Sequence, residues 1–215
     1  MPKNRRIYPS FAEESDLISK GYVPVAGLDE SGRGALTGPV VAAAVILPPD
    51  IKAEWIRKID DSKRLTAKQR EYVFDRLYEH SVAIAIGKSS SIEIDRINIL
   101  EATRLAMERA LDNLPINPKF LLLDALTLPM VPINQKPIIH GDSISLSIAA
   151  ASIVSKVTRD KIMRDNDDEY PGYGFAKHKG YGTKEHLRNL TILGPCPIHR
   201  FSFKPISNID SNLIS

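Results

Sequence analysis

Hydrophobic and polar positions along the chain follow two different periods. Five short runs are rich in Val, Ile, Leu and Ala and are bounded by Gly, Pro or polar turns, which predicts β-strands. The first two runs, VPVAGLDE and PVVAAAVILP, flank a turn-rich stretch and predict a hairpin. The five predicted strands are residues 23–30, 39–48, 81–89, 119–126 and 136–142.

Longer segments repeat their apolar residues at helical spacing. Thr66 is placed as the N-cap of one such segment, and Pro115 marks the end of another. The segment from 143 is apolar nearly all round as far as Val154, which predicts that its first half is inserted in the core. The predicted helices are residues 67–80, 91–114, 143–165 and 183–193, with a loop at 166–182.

The order of these elements predicts the fold class. Strands come first and then alternate with helices, which favours an α/β fold with a mixed central sheet flanked by helices and a small C-terminal helical extension. We expect residues 1–165 to form the core with a short N-terminal extension. Residues 166–215 should form a helical, basic extension within the same structural unit.

Composition restricts the class of protein further. The 215 residues are enough to bury a sizeable core, and the single cysteine, Cys196, rules out an internal disulfide. The N-terminus has no apolar leader segment, and no stretch approaches the ~18 apolar residues of a membrane span. We therefore expect a cytoplasmic protein, with a monomer as the default state.

Charge is concentrated near the C-terminus, although the net charge is only +3. Six Lys or Arg residues and one acid, Glu185, lie between Tyr173 and Pro205. A solvated basic tail and a phosphate-binding patch explain this charge equally well. Interleaved aromatic residues favour the second interpretation slightly, because such residues stack on sugars or bases. They are Tyr173, Phe175, Tyr181, Phe201 and Phe203.

Four acids fall in apolar surroundings. Asp29 and Glu30 end the first predicted strand, and Asp124 and Asp142 end two later ones. Taken singly, Asp142 has the position of a helix N-cap and Asp124 that of a turn residue. Ligand sites of α/β sheets gather at the carboxyl ends of strands, and four acids brought together there would repel one another unless cations neutralised them.

Oxygen ligands without matching His or Cys residues indicate Mg²⁺ or Mn²⁺. Such ions commonly complete their shell with substrate phosphate, so the predicted chemistry is at a phosphate ester. Two ions about 4 Å apart would activate a water and stabilise the leaving oxygen. The adjacent Gly32 and Gly34 would let the backbone approach a phosphodiester, and Arg33 would supply a cation.

The chain resembles the ribonuclease HII family. The resemblance rests on GLDESGRGALTGPVVAAAVIL, DDSKRLTAKQRE, FLLLDAL, GDSISLSIAAASIVSKVTRD and HKGYGTKEH through HRFSF, in this order over about residues 24–205. It implies a ribonuclease H-like fold in which the four acids bind the metal ions. It further implies that Gly32, Arg33 and Gly34 grip the backbone at the ribonucleotide, that Tyr181 packs on the 3′ deoxyribose, and that Lys63 contacts phosphate.

The implied activity is hydrolysis of RNA in RNA–DNA hybrids and incision 5′ to a single ribonucleotide in duplex DNA, leaving a 3′-hydroxyl and a 5′-phosphate. Ala35, Thr37 and His140 depart from the family pattern at three positions near the motifs. The tail KPISNIDSNLIS has no aromatic pair of the kind that docks to a sliding clamp, so a clamp partner is not expected.

Two other classes stay open. A nucleic-acid-binding protein without turnover would use the basic segment and Gly-Arg-Gly, but four metal-free acids would repel a phosphate backbone. A phosphoesterase acting on small molecules would have no use for that basic, aromatic segment. The two-metal ribonuclease is therefore the leading hypothesis. In it Asp29 and Asp124 hold the ions, and Glu30 and Asp142 complete the shell.

Overall fold

A mixed five-stranded β-sheet forms the centre of the protein in a computed structural model, which describes residues 8–51, 53–60 and 62–208. The strand order is β3-β2-β1-β4-β5. β1 and β2 form the predicted antiparallel hairpin, β3 joins it antiparallel, and β4 and β5 run parallel to β1. The strands are β1 Val25–Ser31, β2 Val40–Ile46, β3 Ala83–Ser89, β4 Phe120–Asp124 and β5 Asn134–Ile138.

Helices cover both faces of the sheet. Their bounds are α1 Ala12–Ser19, α2 Ala67–His80, α3 Ser91–Asp112, α4 Leu146–Glu169, α5 Phe175–His178 and α6 Lys184–Leu193. Short 3₁₀ turns occur at Glu54–Lys58, Gly141–Ser143 and Ile206–Asn208. None of the helices in the described ranges has the length and apolar character needed to cross a membrane.

Alternate side chains of β2 pack against helices on opposite faces of the sheet, which gives three layers in the order helix, sheet, helix. Val40, Ala42 and other even-numbered residues pack against α3, whereas Ala43 and Val45 pack against α2 and α4. Because side chains alternate along a strand, a strand covered on both faces reads as a continuous apolar run. That is the pattern of PVVAAAVILP. The apolar first half of α4 is buried, as its sequence predicts.

Local sequence signals fix the helix starts. Thr66 accepts a hydrogen bond from the Gln69 N–H, and the Gln69 side chain accepts one from the Thr66 N–H, which is a capping box. Ser90 and Glu93 form the same arrangement at α3. Asn98 has a φ of 67° and kinks α3 near its first turns, which the helical spacing does not reveal.

The structure corrects three predicted boundaries. β5 ends at Ile138, so Asp142 does not end a strand but lies in the 3₁₀ turn that follows. α4 begins at Leu146 and continues to Glu169, with Ser145 rather than Asp142 as its N-cap. The segment predicted as a loop at 166–182 therefore contains the end of α4 and all of α5.

Candidate active site at the sheet edge

Three of the predicted acids meet at one edge of the sheet. Asp29, Asp124 and Asp142 each offer a carboxylate oxygen within 4.8 Å of the others. Asp29 comes from β1 and Asp124 ends the neighbouring parallel strand β4. Asp142 comes from the turn between β5 and α4. Asp29 and Asp142 are buried, and Asp124 is partly exposed.

Backbone contacts hold these acids in place. The Gly141 N–H donates to Asp124 Oδ1 at 2.8 Å, which ties the turn carrying Asp142 to the end of β4. The Glu30 N–H donates to Asp29 Oδ1 at 2.7 Å. A Cβ at Gly27 would collide with the backbone of α4 at Ser147, so the glycine allows α4 to approach β1 closely. The start of α4 thereby brings Asp142 to Asp29.

The site disfavours negative charge when no cation is bound. Burial, followed by the charges of Glu30 and Asp124, raises the pKa of Asp29 well above its ordinary value. Burial also raises the pKa of Glu30, against the opposing effect of Arg33. A hydrogen bond from Ser152 stabilises the Asp29 carboxylate in part. Arg33 and Lys63 lie beside the acids, yet the raised pKa values indicate a cluster that would bind further cations.

Glu30, the fourth predicted acid, lies beside the triad and not within it. Its Oε1 accepts from Arg33 Nη1 at 3.3 Å, and its buried Oε2 has no hydrogen-bond partner among the described residues. A buried carboxylate oxygen without a partner is costly, and a hard divalent cation would satisfy it. Together with the all-oxygen donor set of the triad, this orphan oxygen fits a Mg²⁺ or Mn²⁺ site.

A cavity of about 480 Å³ is lined by three of the four acids, Asp29, Glu30 and Asp124. Arg33 and Tyr181, predicted as substrate contacts, both line it together with Gly32. Lys63 also lines it, with its Nζ 3.5 Å from Asp142 Oδ2 and its side chain 79% exposed. A larger cavity of about 650 Å³ beside α2 contains none of the clustered acids, so we place the chemistry in the smaller one.

Sequence reasoning missed four residues of the cavity wall, Ser31, Ser62, Ser152 and Lys156. The Ser62 and Ser152 hydroxyls are 2.9 Å apart, and Ser152 also bonds Asp29, so they connect the Lys63 loop to the acids. Lys156 Nζ lies 2.8 Å from Asp160 Oδ1. All four lie within the quoted motifs, yet a serine or lysine in a strand, a loop or an apolar helix carries no distinctive signal.

Two buried arginines hold the loop between β1 and β2, which carries Gly-Arg-Gly. Arg200 donates to the carbonyls of Gly32 at 2.7 Å and Arg33 at 2.8 Å, and also to Gly38. Arg159 donates to the carbonyls of Thr37 and Pro39 in the same loop, and to that of Lys179. Both side chains are fully buried, and within the described ranges neither forms an ion pair with a carboxylate.

Gly32 and Gly34 differ in whether the fold requires glycine at the position. Gly32 has a φ of +99°, and a Cβ there would collide with the Arg159 guanidinium, so only glycine fits. A Cβ at Gly34 would meet nothing within 4 Å. The protein itself therefore does not demand glycine at position 34, and its bare backbone faces open space.

The basic C-terminal segment is less exposed than its charge suggests. Tyr173 and Phe175 are core residues, whereas Tyr181 and Phe201 are exposed. Arg200 is buried as well, so it is not part of a surface patch. The interpretation of all five aromatics as a stacking surface is therefore wrong for the two that lie in the core.

Comparisons with known proteins identify the family. A family model described as Ribonuclease HII matches residues 26–206. A Ribonuclease HII of Desulfitobacterium hafniense is 51% identical over 94% of this chain and 76% of its own. The ribonuclease H2 of Pyrococcus horikoshii has a TM-score of 0.72 at 27% identity, covering 90% of this chain and 100% of that one.

RNase HII of Archaeoglobus fulgidus, solved in complex with PCNA, has a TM-score of 0.68 at 23% identity, covering 85% of this chain and 96% of that chain, and so shares the fold. The expected α/β, ribonuclease H-like architecture is confirmed. The tail on which the clamp expectation rests lies largely outside the described residues. The chain belongs to the ribonuclease HII family and is a metal-dependent endoribonuclease that acts on RNA–DNA hybrids.

Proposed function

We propose that the enzyme also incises duplex DNA 5′ to a single embedded ribonucleotide, by a two-metal mechanism that leaves a 3′-hydroxyl and a 5′-phosphate. The observation that carries this proposal is a shared cavity, whose wall combines two acids of the triad with the Gly-Arg-Gly loop and Tyr181. The lining residues are Asp29, Asp124, Gly32, Arg33 and Tyr181, and Asp142 clusters with the two acids. The 2′-hydroxyl distinguishes RNA from DNA, so a reader of one ribonucleotide must lie beside the reacting phosphate.

In this proposal Asp29, Asp124 and Asp142 hold the ions, and the partnerless Oε2 of Glu30 completes their shell. When bound, two divalent ions supply activation of water and stabilisation of the leaving oxygen in an in-line displacement. Mg²⁺ and Mn²⁺ both suit this donor set. Protonation of Asp29 in the metal-free site would be lost on loading, which makes metal binding tighter as the pH rises.

The chain's own residues position the strand. Gly34 leaves open space for close approach of a sugar-phosphate backbone, and Arg33, 43% exposed, supplies a phosphate contact at the cavity wall. Lys63 reaches in from the opposite loop as a second cation. The exposed ring of Tyr181 offers a flat surface to the sugar on the 3′ side.

The first test is incision of a labelled duplex with one internal ribonucleotide, in Mg²⁺, Mn²⁺ or chelator, beside an all-DNA duplex. We expect metal-dependent cutting on the 5′ side of the ribonucleotide and none of plain DNA. Asp124→Asn should abolish turnover and keep hybrid binding, because the acid is needed for ions and not for folding. Asp75→Asn, an exposed acid on α2, is the matched control. Cutting of long hybrids without incision at a lone ribonucleotide would refute the proposal.

A second prediction concerns the contact of Tyr181 with the junction between the ribonucleotide and the DNA on its 3′ side. Tyr181→Ala should reduce kcat/KM on the single-ribonucleotide duplex by roughly tenfold or more, since loss of one stacked sugar or base costs about 1–3 kcal/mol. Cleavage of a long RNA stretch should fall less, because such a strand offers many alternative registers. Equal losses on the two substrates, measured by initial rates, would refute the role of Tyr181.

A further inference from the structure

Three histidines lie buried directly behind Tyr181, although the proposed chemistry uses none of them. His186 and His199 are fully inaccessible and His178 is nearly so. The rings of His178 and His186 stack with their centroids 4.4 Å apart. Nε2 of His186 lies 3.2 Å from Nε2 of His199. Imidazole rings this close together in the core must each carry their proton on a defined ring nitrogen.

The backbone decides where those protons are. His199 Nδ1 lies 2.9 Å from the Cys196 backbone nitrogen, 3.1 Å from its sulfur and 3.2 Å from its carbonyl oxygen. The backbone N–H can only donate, so Nδ1 accepts from it and the proton of the neutral ring is on Nε2. That proton points to His186 Nε2, which must therefore accept. The proton of His186 is then on Nδ1, which donates to the carbonyl oxygen of Tyr181 at 3.0 Å.

A charged ring does not fit this chain of bonds. A proton added to His186 would place two N–H groups against each other at 3.2 Å, and one added to His199 would face the Cys196 N–H. Burial, followed by the neighbouring His186, lowers the pKa of His199 to about 4, and burial also lowers that of His186. Both rings are neutral at physiological pH.

The chain of hydrogen bonds that runs through the histidines ends at the peptide of Tyr181. The Tyr181 N–H donates to the His178 carbonyl at 3.0 Å, and its own carbonyl also accepts from Thr183. The His178 ring is fixed in turn, because its Nδ1 accepts from the Gly180 N–H at 3.2 Å. The phenol ring is left free to face the cavity, with Arg159 5.5 Å from its centroid.

We propose that His186 and His199 are positioning residues for Tyr181. His199 in its Nε2–H form selects the Nδ1–H form of His186, which anchors the Tyr181 peptide and so sets the ring against the substrate sugar. This role rests on the proposed function of Tyr181 at the ribonucleotide junction. The specificity of the site would then depend on two core histidines that never touch nucleic acid.

The tautomers are tested without any activity assay. Long-range ¹H–¹⁵N spectra of the histidine rings in the full-length protein at neutral pH should show His199 protonated at Nε2 and His186 at Nδ1. Cys196→Ser, which retains the donating backbone N–H, should leave both assignments unchanged. The opposite tautomer or a charged ring at either position overturns the proposal, whatever the enzyme cleaves.

The function is tested with a pair of isosteres. His186→Asn places an amide donor where Nδ1 stands, and His186→Gln places one where Nε2 stands. We expect Asn to retain kcat/KM on the single-ribonucleotide duplex within about threefold, and Gln to lose roughly tenfold, the value of one hydrogen bond near 1.4 kcal/mol. On a long hybrid both should stay within about threefold of wild type, because the difference acts only through Tyr181.

The control is Tyr173→Phe, which removes a hydroxyl that donates to the Gly194 carbonyl at 2.7 Å in the same cluster. It should loosen the cluster without changing the preference between substrates. Equal behaviour of Asn and Gln, or the same preference change in Tyr173→Phe, would show that the histidines only stabilise the fold. Equal losses for Tyr181→Ala on both substrates would instead refute the junction role, while the spectra still decide the tautomers.

Discussion

Asp29 illustrates how one carboxyl group serves function at the expense of stability. It is buried, it adjoins Glu30 and Asp124, and its pKa is raised well above the ordinary value of 3.8. An acid with a raised pKa in the folded state binds its proton more tightly than in the unfolded chain. As the pH rises above 3.8, the carboxyl group loses its proton in the unfolded chain but keeps it in the folded protein. The free energy of unfolding therefore falls progressively until the group ionises in the folded protein as well.

Asp29→Asn should accordingly stabilise the metal-free enzyme while it abolishes turnover. We expect about 1 kcal/mol at pH 7.5, or a melting temperature roughly 3 °C higher for a domain of this size, with a smaller gain at pH 5. Thermal melts in chelator measure this. Asp75→Asn, on the exposed face of α2, should change little.

Magnesium provides the internal check on that prediction. Added Mg²⁺ should raise the melting temperature of the wild type more than that of Asp29→Asn, because bound cations remove the repulsion that the variant already lacks. A lower melting temperature for Asp29→Asn in chelator would mean that the carboxylate has a structural role, and would contradict the charge-cluster account.

At the scale of elements, the acids were predictable because each lies where an apolar run stops. Asp124 ends β4 and Asp29 lies two residues before the end of the neighbouring parallel strand β1, so their meeting follows from the sheet alone. Asp142 meets Asp29 and Asp124 as expected, but the prediction that it ends a strand was wrong. Three residues separate it from Ile138, and the His140–Gly141 turn that returns it to Asp124 has no periodic signal.

The buried cations could not be predicted in the same way. Charge in the sequence of residues 173–205 indicates exposure, yet Arg200 and the three histidines there lie inside. The partners of Arg200 are carbonyls distant in sequence, such as that of Gly32. Hydrophobic periodicity records which residues avoid water, and it contains no information on a cation satisfied by backbone oxygens.

Arg200→Lys tests that element-level role. A lysine keeps the charge but cannot supply the fork that reaches the carbonyls of Gly32, Arg33 and Gly38, so buried acceptors lose their donors. We expect a loss of about 2 kcal/mol in unfolding free energy. KM on a hybrid should also rise severalfold, because the Gly-Arg-Gly loop is no longer held.

Arg76→Lys is the matched control for this substitution, since its guanidinium pairs with Glu79 on the exposed side of α2. Surface ion pairs contribute about 0–1 kcal/mol, so this variant should unfold near wild type. Urea titrations of both proteins decide the matter. Destabilisation of Arg200→Lys no larger than that of Arg76→Lys would show that the loop does not depend on the guanidinium.

At the scale of the whole molecule, α4 joins the parts of the site. Its start follows Asp142, its middle supplies Ser152 and Lys156 to the cavity, and its Arg159 reaches the loop between β1 and β2. The same arginine binds the Lys179 carbonyl and so ties in the C-terminal segment. One helix therefore contacts the acids, the Gly-Arg-Gly loop and the C-terminal segment.

The exposed cations of the C-terminal segment define the last prediction. Lys184 and Arg188 lie four residues apart on α6, on the same exposed face, and α6 begins three residues after Tyr181. If this face follows the duplex, each cation neutralises a phosphate. The double variant Lys184→Ala with Arg188→Ala should then reduce the slope of log K against log salt by about 0.9 per lost contact.

Lys20 and Lys119 form the control pair, because they precede β1 and β4 at the ends of those strands opposite to the acids. Alanine at both removes the same two charges from a protein whose net charge is +3. Titrations of a labelled, uncleavable hybrid across a salt series should show a smaller slope for the α6 variant and an unchanged slope for the control. Equal reductions in both would mean that hybrid binding responds to overall charge and that α6 makes no phosphate contact.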